Sequence, residues 1–172
     1  MRALKRLLRR RWQHMFNQSR LKEIASELKI HLNLPGYPLF ILRGARGYDS
    51  TYLVSLTTNS KPIGVLRLIN LRAQRKEPDV GMPYTIGTPQ ERLDREWIAY
   101  HQASASSALK LSPSPLWRRH DALLCEYLPY PALQNELEQH PERAWALLAR
   151  TAKAIAELHQ RGLTHMDVSL AN

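Results

Sequence analysis

A single cysteine, Cys125, stands among 172 residues. That excludes an internal disulfide and any zinc site built on several cysteines. The seven histidines include no H-x-x-x-H pair, so the common helical zinc-hydrolase pattern is missing too. Apolar runs fall far short of the ~18 residues that a membrane span needs. Acid is absent from the N-terminal stretch: Arg2, Lys5, Arg6, Arg9, Arg10, Arg11, Arg20 and Lys22 all precede Glu23, the first acidic residue. Arg9, Arg10 and Arg11 interrupt the apolar positions there, and no small-residue cleavage site follows, so no secretory signal is expected. A lone thiol fits a reducing cytoplasm.

The net charge is +10 and 44% of the residues are hydrophobic, which suits one globular domain, or one and a half, with a basic arm. Leu4, Leu7, Leu8, Trp12, Met15 and Phe16 recur at helical spacing with arginines between them. This predicts a basic amphipathic helix. Residues 2–16 could lie on an anionic membrane surface, at the inner face of the membrane. They could instead contact nucleic-acid phosphates, the less favoured partner, or pack on the chain's own domain. A second helix is expected from Ser19, carrying Leu21, Ile24, Ala25 and Leu28. Asn33 to Pro38 then reads as a break and a domain boundary.

Leu39–Leu42, Thr51–Leu56 and Ile63–Ile69 read as three antiparallel strands in series. A loop at 43–50 separates the first two. Its Gly44 and Gly47 permit backbone conformations that aim N–H groups at an anion, though glycines in a hairpin are also simply structural. On the third strand, alternation sets Val65 and Arg67 on one side and Gly64, Leu66 and Leu68 on the other. A cation there needs an anionic partner, a phosphate or a carboxylate, unless the strand is an exposed edge. Thr88-Pro89-Gln90-Glu91 is a helix start with a capping box. Leu93, Trp97 and Tyr100 form its apolar stripe, and Glu96 lies beside that stripe, either paired with Arg67 or on an exposed face. Leu111–Pro115 reads as an extended linker and Ala122–Leu128 as a further strand ended by Pro129 and Pro131. Glu142–Arg161 is a strong helix, opened by Pro141 and closed by Gly162, with Ala144, Leu147, Leu148, Thr151, Ile155 and Leu158 on one side.

The last eight residues, His165-Met166-Asp167-Val168-Ser169-Leu170-Ala171-Asn172, read H-x-D-x-x-x-x-N. In kinase catalytic loops this spacing places an Asp to accept a hydroxyl proton and an Asn to reach magnesium. With the glycine turn, the third-strand cation, the helix Glu and the L-H-x-x-G ending at Leu158–Gly162, the stretch from 39 to 172 resembles the protein-kinase-like superfamily. The resemblance implies an α+β fold: a kinase-like N-lobe, an antiparallel sheet plus a helix, followed by only the beginning of a helical C-lobe. It divides the chain into a helical extension at 1–36, the N-lobe and hinge at 37–130, and the start of the C-lobe at 131–172. It implies ATP and Mg2+ as cofactors and a hydroxyl-bearing acceptor: a small molecule, a sugar or lipid-linked sugar, or a protein. Asp167 would be the catalytic base, His165 a structural organiser and Asn172 the magnesium ligand. Gly44 and Gly47 would cover the phosphates, and Arg67, paired with Glu96, would hold them. Cys125 would guard the back of the adenine pocket, with Glu126 and Leu128 offering backbone hydrogen bonds to adenine.

Met166 stands where many protein kinases have an Arg, and Ser169 where most Ser/Thr kinases have a Lys. The pattern is therefore more similar to atypical and small-molecule kinases, such as aminoglycoside, choline or lipopolysaccharide-sugar kinases. Arg67 in place of the usual Lys presents a planar fork rather than a point charge. The metal-binding Asp and later helices of the family do not follow Asn172. As written, the chain is expected to be weak or inactive and marginally stable unless a partner supplies the rest. The other reading is a non-catalytic kinase-fold remnant, or a basic membrane- or nucleic-acid-binding module.

Overall fold

No proline or glycine occurs between Met1 and Leu34, so nothing in the backbone chemistry interrupts a helix there. The computed structural model, which describes residues 2–46, 49–70, 87–105 and 112–164, with side chains from Met15 in the first helix and without those of 45 and 46, shows one unbroken helix, α1, over Arg2–His31. The expected start of a second helix at Ser19 is corrected: Ser19 is an exposed position inside α1. The helix ends where Asn33 turns left-handed (φ 49°) and the Leu34 N–H donates back to the Lys29 carbonyl at 2.9 Å. This 6→1 bond is a Schellman-type stop.

Among the described residues five strands follow: β1 (Leu39–Arg46), β2 (Asp49–Ser55), β3 (Gly64–Ile69), β4 (Pro115–Arg119) and β5 (Ala122–Glu126). They form one antiparallel sheet in the order β1-β2-β3-β5-β4. Two expectations change. Most of the expected 43–50 loop is ladder, with Gly44 opposite Thr51 and Arg46 opposite Asp49, because a bulge between Leu42 and Gly44 absorbs the odd residue. The expected linker before β5 contains the start of β4, hidden by its prolines and by Arg118 and Arg119. As an edge strand β4 tolerates Pro115, which needs no ladder N–H.

Side chains alternate across this sheet. One face carries Tyr52, Val54, Leu66, Leu68, Trp117, Ala122 and Leu124, which form a core with Leu21, Ile24 and Leu28 of α1. The helix is thus a layer of the fold, and the turn at 33–38, expected as a domain boundary, lies inside one unit, Met1–Trp97 with Pro115–Tyr127. Gly64 sits where β3 and β5 approach closely: a Cβ there would meet the Cys125 carbonyl oxygen at 2.5 Å and Leu124 Cδ1 at 2.9 Å. Gly64→Ala is therefore expected to cost about 1–3 kcal/mol, read as a lower urea midpoint at unchanged slope.

The other face receives α2 (Pro89–Ser104). Its expected capping box is present: the Thr88 N–H donates to Glu91 Oε2 at 2.6 Å, and the Glu91 N–H to Thr88 Oγ1 at 3.2 Å. Leu93 is buried, and Arg118 of β4 pairs with Asp94 at 3.0 Å while lying over the Trp97 ring.

The second unit comprises Ile98–Ser114 and Leu128–Asn172. It contains the end of α2, α3 (Leu133–Gln139), a single 3-10 turn at Pro141–Arg143 and α4 (Ala144–Gln160). Gly162, at φ +75°, ends α4, and the Leu163 N–H donates to the Leu158 carbonyl at 3.0 Å. Arg161 donates to the Gln102 carbonyl at 3.0 Å and pairs with Glu157 at 2.8 Å, so it caps the last turn of α2 from the end of α4. No α4 residue is buried; Leu147, Thr151, Ile155 and Leu158 of the expected apolar side are only partly covered. Among the described residues no helix is long and apolar enough to cross a membrane.

Candidate functional site

The β3 alternation puts Arg67 on the α2 face, away from the α1 core. Thr51 of β2 and Leu123 of β5 are its cross-strand neighbours, and Val65 faces Cys125 one pair along. The expected partner is in place: Arg67 Nη1 donates to Glu96 Oε2 of α2. A second carboxylate, not anticipated from sequence, lies on β2. Arg67 Nε and Nη2 donate to Asp49 Oδ2 at 3.0 and 2.7 Å. Asp49 stands next to the ladder position of Thr51, two residues along the same face, so a strand register starting at 49 would have revealed it. The expected loop at 43–50 concealed it instead.

Burial works against the Arg67 charge, but the fields of Glu96 and Asp49 and their hydrogen bonds outweigh it and raise its pKa. The cation is permanent and its fork is fixed in two directions. Among the described residues these contacts take three of the five guanidinium N–H donors, which leaves two for another acceptor. Asp49 Oδ1 is buried and accepts no hydrogen bond among the described residues.

Cys125 is buried on the same face. Burial, then the nearby Glu96 charge, pushes its thiol up to about 12, against a smaller pull from Arg67. It is therefore a packing residue rather than a nucleophile. Alkylation of the native chain at pH 8 is expected to be at least about 100-fold slower than after unfolding in urea, followed by mass spectrometry; equal rates would contradict the burial.

Gly44 occupies the β1 bulge, has no left-handed φ, and has open space where a side chain would lie. Glu126 ends β5 opposite Gly64. Leu128 belongs to the second unit, where it lines a groove of about 590 Å³ with Tyr130, Glu136, Leu147, Arg150 and Thr151. Gly47, His165, Asp167 and Asn172 lie outside the described residues. Among the described residues no cluster of three or more His, Cys, Asp or Glu could hold a metal ion. Comparison with family models, curated proteins and solved structures gives no match.

Proposed function

We propose that the chain is a kinase-like phosphotransferase that moves the terminal phosphate of ATP to a hydroxyl acceptor. The observation that carries this reading is the ion pair between Arg67 on the third strand and Glu96 on the following helix. The order of elements around it supports the same reading: three antiparallel strands, a helix, then two strands leading into a helical unit. Two features suit a nucleotide. Arg67 keeps two N–H donors for phosphate oxygens, and the empty space at Gly44 lets an anion approach the β1 backbone.

One guanidinium set between two carboxylates gives the three-residue cluster a formal charge of −1. Bare phosphate is therefore a poor ligand for it, and the Mg2+-bound nucleotide, whose charge the metal partly neutralises, is the favoured form. Asn172 is assigned to the metal and Asp167 to the acceptor hydroxyl proton on the sequence motif. Glu96 keeps Arg67 aligned, and His165 organises the loop.

Asp167→Asn tests the assignment. It is expected to abolish transfer from radiolabelled ATP while leaving Mg·ATP affinity within about two-fold, because the residue acts on the acceptor and not on the nucleotide. Undiminished transfer in this variant would remove Asp167 from the mechanism. Nucleotide binding with no transfer in the unsubstituted chain would favour a non-catalytic binding module.

A further inference from the structure

The helix α1 carries two apolar stripes on opposite sides. At about 100° per residue, Asn17, Leu21, Ile24 and Leu28 line up on one side, and that side is buried on the sheet. Because the helix is continuous from Arg2 to His31, the same phase extends to its start. Helix positions 4, 8, 12 and 15, occupied by Leu4, Leu8, Trp12 and Met15, then gather roughly 160° around from the buried stripe. The part of the second stripe with described side chains is open: Met15 and its neighbour Phe16 are each 68% exposed.

Charge identifies what this stripe fits. Six cations fall within the first eleven residues and no acid precedes Glu23. By helical phase, position 11 lies on one flank of the stripe and positions 5 and 9 on the other, so Arg11, Lys5 and Arg9 border it. We propose that this face of α1 is a docking surface for an anionic lipid bilayer, with the helix lying in the headgroup layer over its first four turns. Leu, Trp, Met and Phe at these positions match the acyl boundary, and the bordering cations match lipid phosphates. Nucleic acid would use the cations but not the apolar stripe. A second copy of the chain would bring two such basic faces together. The proposal stands apart from the phosphotransfer reading.

The test is sedimentation of the full chain with vesicles at about 0.1 M salt. Phosphatidylcholine vesicles containing about one-quarter phosphatidylglycerol are expected to bind at least ten-fold more tightly than pure phosphatidylcholine. The double substitution Met15→Asp and Phe16→Asp is expected to weaken that binding at least ten-fold with an unchanged melting temperature, since both side chains are exposed. A second variant, Arg9→Gln with Arg11→Gln, should lose the preference for anionic vesicles and guards against misfolding of the first. Equal binding to both vesicle types would overturn the proposal. So would undiminished binding of the Asp variant, which reduces the contact to charge alone. Displacement from anionic vesicles by short duplex DNA at equal phosphate concentration would overturn it in favour of nucleic acid.

Discussion

Asp121→Asn is expected to destabilise the protein by about 3 kcal/mol. Asp121 is 2% exposed in the turn between β4 and β5. Arg20 of α1 reaches it through Nε at 2.8 Å and also donates to the Ile69 carbonyl at 2.9 Å. Arg119 reaches it through Nε at 2.7 Å and Nη2 at 3.1 Å, and extends Nη1 to Glu23 and Glu27 of α1, each at 3.1 Å. One carboxylate thus fastens α1 to the sheet through two arginines. An amide there removes the charge, leaves Arg20 and Arg119 partly buried beside it, and offers two N–H groups to donors. Burial pushes the Asp121 carboxyl up, but hydrogen bonds and charge from Arg119 and Arg20 outweigh it, leaving the pKa below its ordinary value. Its contribution is therefore complete above the unfolded-state value of about 4 and fades as pH falls through the lower folded-state value. Urea unfolding between pH 7 and pH 2 measures both effects. The native chain should lose stability over the acid part of that range more steeply than the Asn variant, and parallel curves would remove Asp121 from the account.

Arg67→Ala is expected to lower phosphotransfer by about 10²–10³-fold. The substitution removes the cation proposed to hold the phosphates and leaves Asp49 and Glu96 without the counter-charge they share. Some stability is lost as well, so the informative comparison is Arg67→Lys. A lysine restores one positive charge between the two carboxylates but not the fork. It is expected to recover transfer to within about ten-fold of the native chain. Steady-state transfer from radiolabelled ATP separates the variants, and an Arg67→Ala chain as active as the Lys variant would show that the cation has no part in the reaction.

Much of this arrangement is legible in the sequence because short-range chemistry dictates it. The Thr88–Glu91 capping box, the Gly162 stop and the alternation that separates Arg67 from Leu66 and Leu68 are all local, and each holds in the structure. The Arg67–Glu96 pair was readable as one of two alternatives, because Arg67 stands among apolar strand residues and Glu96 lies beside the Leu93, Trp97 and Tyr100 stripe. What eluded the sequence depends on tertiary pairing. Asn17, 4% exposed, looks like an ordinary polar helix residue, yet its side-chain amide donates to Ser50 and to Tyr52 at 3.1 and 3.2 Å inside the core. Asp121 looks like a turn residue, and its two arginines are distant or charge-dense neighbours that read as solvated. Packing of α1 on the chain's own domain was one of the readings the sequence left open, and its basic first half kept that reading from standing out. Asp49 was hidden by a bulge, whose register no local pattern reveals.

The most direct measurement is a calorimetric titration of the full chain with Mg·ATP, repeated with Arg67→Ala and Arg67→Lys. The account predicts saturable binding by the native chain, weaker by about 10–100-fold in the Ala variant through loss of a charge-assisted contact, and intermediate in the Lys variant. Absence of binding by the native chain, or an affinity unchanged in Arg67→Ala, would contradict it.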